Sequence, residues 1–167
     1  VRDNIPHGIF LQPDDITVAE VLKKAGYKTY AIGKWSLGNP GSWGSPTYQG
    51  FDEFFGHLNQ DQAHFYYPDY LWDSENLMLL KGNRGGKKGD YTHDLFTERA
   101  LKIIDQNKQN HFFLYLAYTI PHFSDYSHKS PLSQIVPSDE PYTEKYWPQV
   151  EKNYAAMVTR MDRDVGK

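Results

Sequence analysis

The sequence predicts an α/β domain, in which a partial parallel or mixed sheet is flanked by helices. A capped amphipathic segment at residues 17–26 runs directly into a short β-branched and aromatic stretch at 27–35. A second helical period, beginning near Thr92, runs directly into the continuous apolar run "HFFLYLAY" at 111–118. Between and after these units the chain is long, irregular and rich in glycine and proline. Helix–strand alternation requires crossover connections, and crossovers make neighbouring strands parallel.

The first helix is announced by "TVAE" at 17–20, where the Thr17 hydroxyl can accept from a backbone N–H while Glu20 reaches back to the cap. Val18, Val21, Leu22 and Ala25 then form an apolar stripe, and Gly26 is placed to end the helix. Residues 27–35 read as a strand. From 38 to 89 no period is convincing, and the stretch reads as a functional excursion over a site, with 77–80 its one strand candidate. The second helix carries Phe96, Ala100, Ile103 and Ile104 on one face and leaves through polar residues 107–110. The run at 111–118 suits a central strand covered on both faces. A second irregular stretch covers 119–143, and Pro148 opens a last helix with the stripe Val150, Tyr154, Met157, Val158, Met161 and Val165. On that helix Asp162 and Asp164 are expected to face outward, and Asp14–Asp15 reads as a solvated loop pair.

The chain's 167 residues and 39% apolar content suffice for one domain with a core, and no internal repeat is visible. Eighteen basic and 21 acidic residues, without long runs of either sign, give no electrostatic basis for nucleic acid or a membrane surface as partner. No stretch approaches the roughly 20 apolar residues that span a bilayer, and the opening "VRDNIPHG" carries no apolar signal segment. Zero cysteines exclude disulfides, thiolate metal sites and a cysteine nucleophile within these residues. The 16% aromatic content, with 13 tyrosines and 4 tryptophans, suits both carbohydrate contact and ordinary core filling.

In open α/β sheets the ligand crevice lies beyond the carboxyl ends of the strands. The first strand closes on Lys34 and the second nearly on His122. Were the two strands parallel neighbours, an ammonium and an imidazole would meet one anionic or leaving oxygen there. On spacing alone an exposed strand-end lysine and a solvated loop histidine are the commoner reading, so the residues by themselves leave an α/β domain with a candidate anion site.

The segment "TVAEVLKKAGYKTYAIGKWSLG" (17–38) resembles the second signature of the formylglycine-dependent sulfatases of the alkaline phosphatase superfamily, T-x-A-x-x-L-x-x-A-G-Y-x-T-x-x-x-G-K-W-H-L-G, at all fixed positions but one. "GFDEFFG" (50–56), "HFFLYLAYTIPH" (111–122) and "NYAAMVTRMDRDVGK" (153–167) are similar to the blocks that follow, in the same order. The resemblance implies a segment of that family's α/β/α sandwich. It makes Lys34 a contact of the sulfate oxygens and of the formylglycine, and His122 a contact of the ester and the candidate acid for the leaving oxygen. Ser36 is the departure, standing where most members place a second histidine. The block at 60–72, "QDQAHFYYPDYLW", accompanies such replacements and offers His64 as the substitute imidazole. His64, Ser36 and Trp35 are thus the expected substrate-binding residues.

The family's C/S-x-P-x-R nucleophile motif, its preceding Asp-Asp pair and a later Asp-Asn metal pair are not found. The resemblance therefore implies an internal segment of a larger enzyme, with calcium and formylglycine supplied from outside this chain and no activity in the segment alone. The parent is expected to be periplasmic or secreted and to remove sulfate from a sulfated small molecule or glycan. Two alternatives stand beside this: a phospho- or phosphonate-ester hydrolase of the same superfamily, and a carbohydrate-binding module built on the aromatics at 64–72. A truncated sheet is also expected to expose edges and apolar faces.

Overall fold

The structure, a computed structural model, describes residues 10–124 and 133–167. Part of the irregular stretch assigned to 119–143 therefore lies outside the described residues. In chain order the elements are α1 (Val18–Lys24), β1 (Lys28–Lys34), β2 (Glu53–His57), β3 (Tyr70–Asp73), β4 (Asn76–Leu79), α2 (Thr92–Asn107), β5 (Phe112–Ala117) and α3 (Gln149–Val165). The five strands form one mixed sheet in the order β4-β3-β2-β1-β5. Strands β2, β1 and β5 are parallel, while β3 and β4 add an antiparallel hairpin outside β2.

Both faces of β1 are buried, which explains its lack of alternation. On one face Tyr30 and Ile32 join Phe55, Leu71 and the α2 residues Phe96, Ala100 and Ile103. On the other, Ala31 packs with Phe51, Phe54, Leu58 and Ala19 of α1. A third cluster of Tyr66, Tyr91, Ile120 and Met157 joins the two long connections to α3. The Arg160 guanidinium adds a two-bonded ion pair with Asp94, fixing α3 to α2.

The capping box forms as expected: Thr17 Oγ1 accepts from the Glu20 N–H at 3.2 Å and the Thr17 N–H donates to the Glu20 carboxylate at 2.8 Å. The buried residue of α1 is nevertheless Ala19, whereas Val18 and Val21 are 59% and 53% exposed. The reason is close approach. Glu20's backbone nitrogen would stand only 2.4 Å from a Cβ on Gly50, a separation that only a small residue at the helix–loop contact permits.

Residues 38–89 are not one structureless excursion. They hold β2, β3 and β4, of which only β4 matches the candidate at 77–80. Strand β2 escapes pattern reading because "EFFGH" is buried almost throughout and only five residues long. Strand β5 is also not central among the described residues. It pairs with β1 alone, and Tyr115 is 45% exposed. Finally, Asp164 of α3 is buried instead of facing outward: its carboxylate meets His93 Nε2 at 3.0 Å and takes charge-assisted hydrogen bonds from Arg163 and Lys167. Val165, assigned to the buried stripe, is the exposed neighbour. On α2, Ile104 likewise lies outside the buried face.

Candidate active site

Strands β1 and β2 end side by side, with Lys34 and His57 as register partners. The preceding pair, Gly33 and Gly56, is also in register, and neither position admits a side chain. A Cβ on Gly33 would lie 1.9 Å from the Ala117 carbonyl oxygen, and one on Gly56 the same distance from the Gly33 oxygen. The two strands thus carry one device, a glycine that lets three backbones crowd together and then a cation-capable residue at the rim. Beyond Lys34 the ladder continues: the Trp35 and Ser36 N–H groups donate to the His57 and Leu58 carbonyls at 3.0 and 3.1 Å. Ser36 then turns the chain away in a left-handed conformation, φ 67°.

At this rim lies a cavity of about 400 Å³ whose lining includes Lys34, His64, Tyr118, Thr119 and His122. Among the described residues its lining contains no carboxylate, and Lys34 gives it a cation, so the charge of these residues favours an anion. His64 reaches it from a 3₁₀ turn, Gln62–His64, that the sequence places only as part of a loop. Asn59 builds that turn by accepting the N–H groups of Asp61 and Gln62, and Gln62 Nε2 ties it to the Tyr70 carbonyl at 2.9 Å. The His64 and His122 rings meet edge to face with centroids 5.1 Å apart.

His122 is exposed and follows the cis Ile120–Pro121 bond. Its Nδ1 lies 2.6 Å from the Phe123 carbonyl. A carbonyl can only accept, so Nδ1 carries the hydrogen and Nε2 is the nitrogen left to face a ligand. The His122 carbonyl in turn accepts a short hydrogen bond from the buried Tyr66 hydroxyl. The Tyr66 phenol is held well above its ordinary value by burial, so it serves as a neutral donor. One short motif, "AHFYY", therefore supplies both the second imidazole and the anchor of the first.

The remaining expected residues fall elsewhere. Trp35 lies on the opposite face of the sheet, in a second cavity with Val18, Phe51, Phe113 and Tyr115, and its indole N–H donates to the Gly44 carbonyl at 2.7 Å. Ser36 does not line the lysine–histidine cavity, and its buried hydroxyl has no hydrogen-bond partner among the described residues. Of the aromatics at 64–72 Phe65 is exposed, Tyr66 is buried, and Tyr67, Tyr70 and Trp72 are half-buried. Sequence reasoning missed His57, Tyr66 and Tyr118. The signal for His57 was the repeat of "AIGK" as "FFGH", legible once both are known to be strands.

Comparison with known proteins places this geometry. The family profile described as Sulfatase matches residues 2–167. Mouse arylsulfatase J is 31% identical over 162 residues, covering 91% of this chain and 25% of that protein. Mouse N-acetylgalactosamine-6-sulfatase is 31% identical over 177 residues, covering 100% of this chain and 30% of that protein. Among solved structures, Ps i-CgsB superposes with a TM-score of 0.73 at 26% identity, covering 95% of this chain and 36% of that one. The chain thus spans between a quarter and a third of the curated relatives' length. With a matching profile over nearly every residue and the same fold in a solved structure, the chain belongs to the sulfatase family.

Proposed function

We propose that this segment supplies the sulfate-holding cation and the leaving-group acid of a sulfuric ester hydrolase, exported by its host and acting on a sulfated glycan or aryl ester. The observation that carries the reading is the convergence of Lys34, His64 and His122 on one cavity whose described lining holds no carboxylate. Lys34 offers a compact ammonium to a sulfate oxygen, and this charge stabilisation grows as water is excluded. His122, its Nδ1–H committed to Phe123, presents Nε2 to the ester oxygen. When the S–O bond breaks, a protonated Nε2 gives its proton to the departing alkoxide and returns neutral. His64, held beside it on a buried turn, donates to a second oxygen of the bound ester.

The family resemblance also implies calcium and a formylglycine nucleophile. Among the described residues no group of three or more His, Asp or Glu side chains could hold a metal ion, and the chain has no cysteine. The described residues supply no metal-holding group, and the sequence holds no C/S-x-P-x-R motif from which a formylglycine would arise.

The sugar class has support from neighbours. Ps i-CgsB has been solved in complex with k-i-k-neocarrahexaose. BT4656, similar at a TM-score of 0.50 and 25% identity over 68% of this chain and 20% of that one, has been solved with its substrate D-glucosamine-2-N,6-O-disulfate. The test has two arms. The 167-residue chain is expected to hydrolyse no aryl sulfate, yet to bind inorganic sulfate with chemical-shift changes at His64 and His122 that disappear in Lys34→Ala. In a sulfatase spanning the relatives' full length and carrying this segment, Lys34→Ala is expected to lower kcat/KM by about 100-fold or more, the scale of one well-placed oxyanion donor. Sulfate binding unaltered by Lys34→Ala would overturn the proposal.

A further inference from the structure

His57 is fully buried at the end of β2, in register with Lys34, yet neither ring nitrogen has a hydrogen-bond partner among the described residues. Packing does not explain an imidazole there. Phe55, two residues earlier on the same strand, meets the Phe96 ring edge to face at 6.0 Å, and His57 meets the same ring at 5.7 Å. A second phenylalanine would serve that contact without burying two unpaired polar atoms, which cost desolvation with no return. The polar groups near His57 are those of the site. Burial holds the ring's proton affinity down to about 3, Gln62 lies close enough to oppose this, and the His64 and Lys34 charges add to it. Gln62 Oε1 is itself buried without a partner, although no hydrogen bond of ordinary geometry joins it to His57. A buried acceptor without a hydrogen-bond partner, on the turn that carries His64, thus lies close to a buried ring donor in the same state.

We infer that His57 is a positioning residue of the anion site: its ring N–H pairs with Gln62 Oε1 when the site is loaded, drawing the Gln62–His64 turn onto the end of β2 and fixing His64 beside Lys34. This rests on the reading of the Lys34–His122 cavity as a sulfate site. Gln62 is suited to the role because its Nε2 is already committed to the Tyr70 carbonyl, which leaves the oxygen as the movable contact. His57 stays neutral, so it adds a donor beside Lys34 without adding a like charge. It acts through Gln62 and makes no contact with the sulfate.

The experiment uses the 167-residue chain, inorganic sulfate as probe and imidazole ¹⁵N resonances as readout. In the native chain His57 should remain a neutral single tautomer from pH 5 to 8, and its ring signals should move on sulfate addition together with those of His64. In His57→Phe the fold and melting temperature should be kept or raised, while sulfate affinity falls about tenfold, the scale of one lost charge-assisted contact, and the His64 response is lost. His57→Gln, which restores an N–H donor, should recover part of both and serves as the second variant if the phenylalanine disturbs folding. Unchanged sulfate affinity and an unchanged His64 response in both variants would overturn the inference. Failure of the underlying site reading looks different, because sulfate binding would then survive Lys34→Ala itself.

Discussion

The two faces of the sheet are finished to different degrees. On the α2 side, Tyr30, Ile32, Phe55 and Phe96 are each 7% exposed or less and their row ends at His57 and Lys34. On the α1 side, Ala31 and Phe54 are equally buried, but Val18, Val21 and Tyr115 are about half exposed, and Val18 and Tyr115 line a second, largely apolar cavity of about 270 Å³. The site draws its rigidity from the closed face. Lys34 and His57 stand on the closed face, which fixes the strand ends before a ligand arrives, whereas Trp35 of the same signature stands on the open one.

The largest effect is expected at Phe96, which is fully buried and packs against both Phe55 and His57. Phe96→Ala should cost about 3–5 kcal/mol by urea denaturation, the range for truncating a core aromatic, and should loosen the His57 ring as well. A cost below 1 kcal/mol would mean that this face is not the closed one. A second effect on the same face depends on pH. Burial is the main cause that holds His57 near 3, against an ordinary 6.5. Between those values the unfolded chain binds a proton that the folded chain refuses. The contribution is therefore complete above pH 6.5 and is lost as pH falls toward 3, at up to about 1.4 kcal/mol per pH unit. Unfolding free energy should fall less steeply between pH 6.5 and 4 in His57→Phe than in the native chain. Parallel curves would show that the ring takes up its proton in the folded state.

The same contrast explains what could be read from sequence. The Thr17 capping box, the Phe96–Ala100–Ile103 face and the strands ending near Lys34 and His122 all rest on local chemistry or on a period long enough to see. The mixed sheet was among the expected forms, but its width was not, because β2 and β3 are four or five residues long and buried strands do not alternate. With β2 unseen, His57 had no address. Asp164 differs for another reason: helical periodicity weighs a carboxylate as outward, and only tertiary contact brings His93 against it, while Arg163 and Lys167 are its neighbours along the chain. His64 was proposed from a motif, while its distance from His122 is a property of the folded chain alone.

The smallest effect is expected on the open face. Periodicity gave α1 the stripe Val18, Val21, Leu22 and Ala25, but the structure buries Ala19 and leaves Val21 53% exposed. Val21→Ser should then change stability by less than about 0.5 kcal/mol, as surface substitutions do. Ala19→Leu, at a fully buried position on the same turn, should cost about 1–3 kcal/mol because the added carbons have no room beside Phe54 and Leu58. Both are measured by urea unfolding of the same chain, so the pair is its own control. Equal costs at the two positions, or a larger one at Val21, would mean that the helix rotates to bury the stripe its sequence advertises, and the α1 face would then be closed like its opposite.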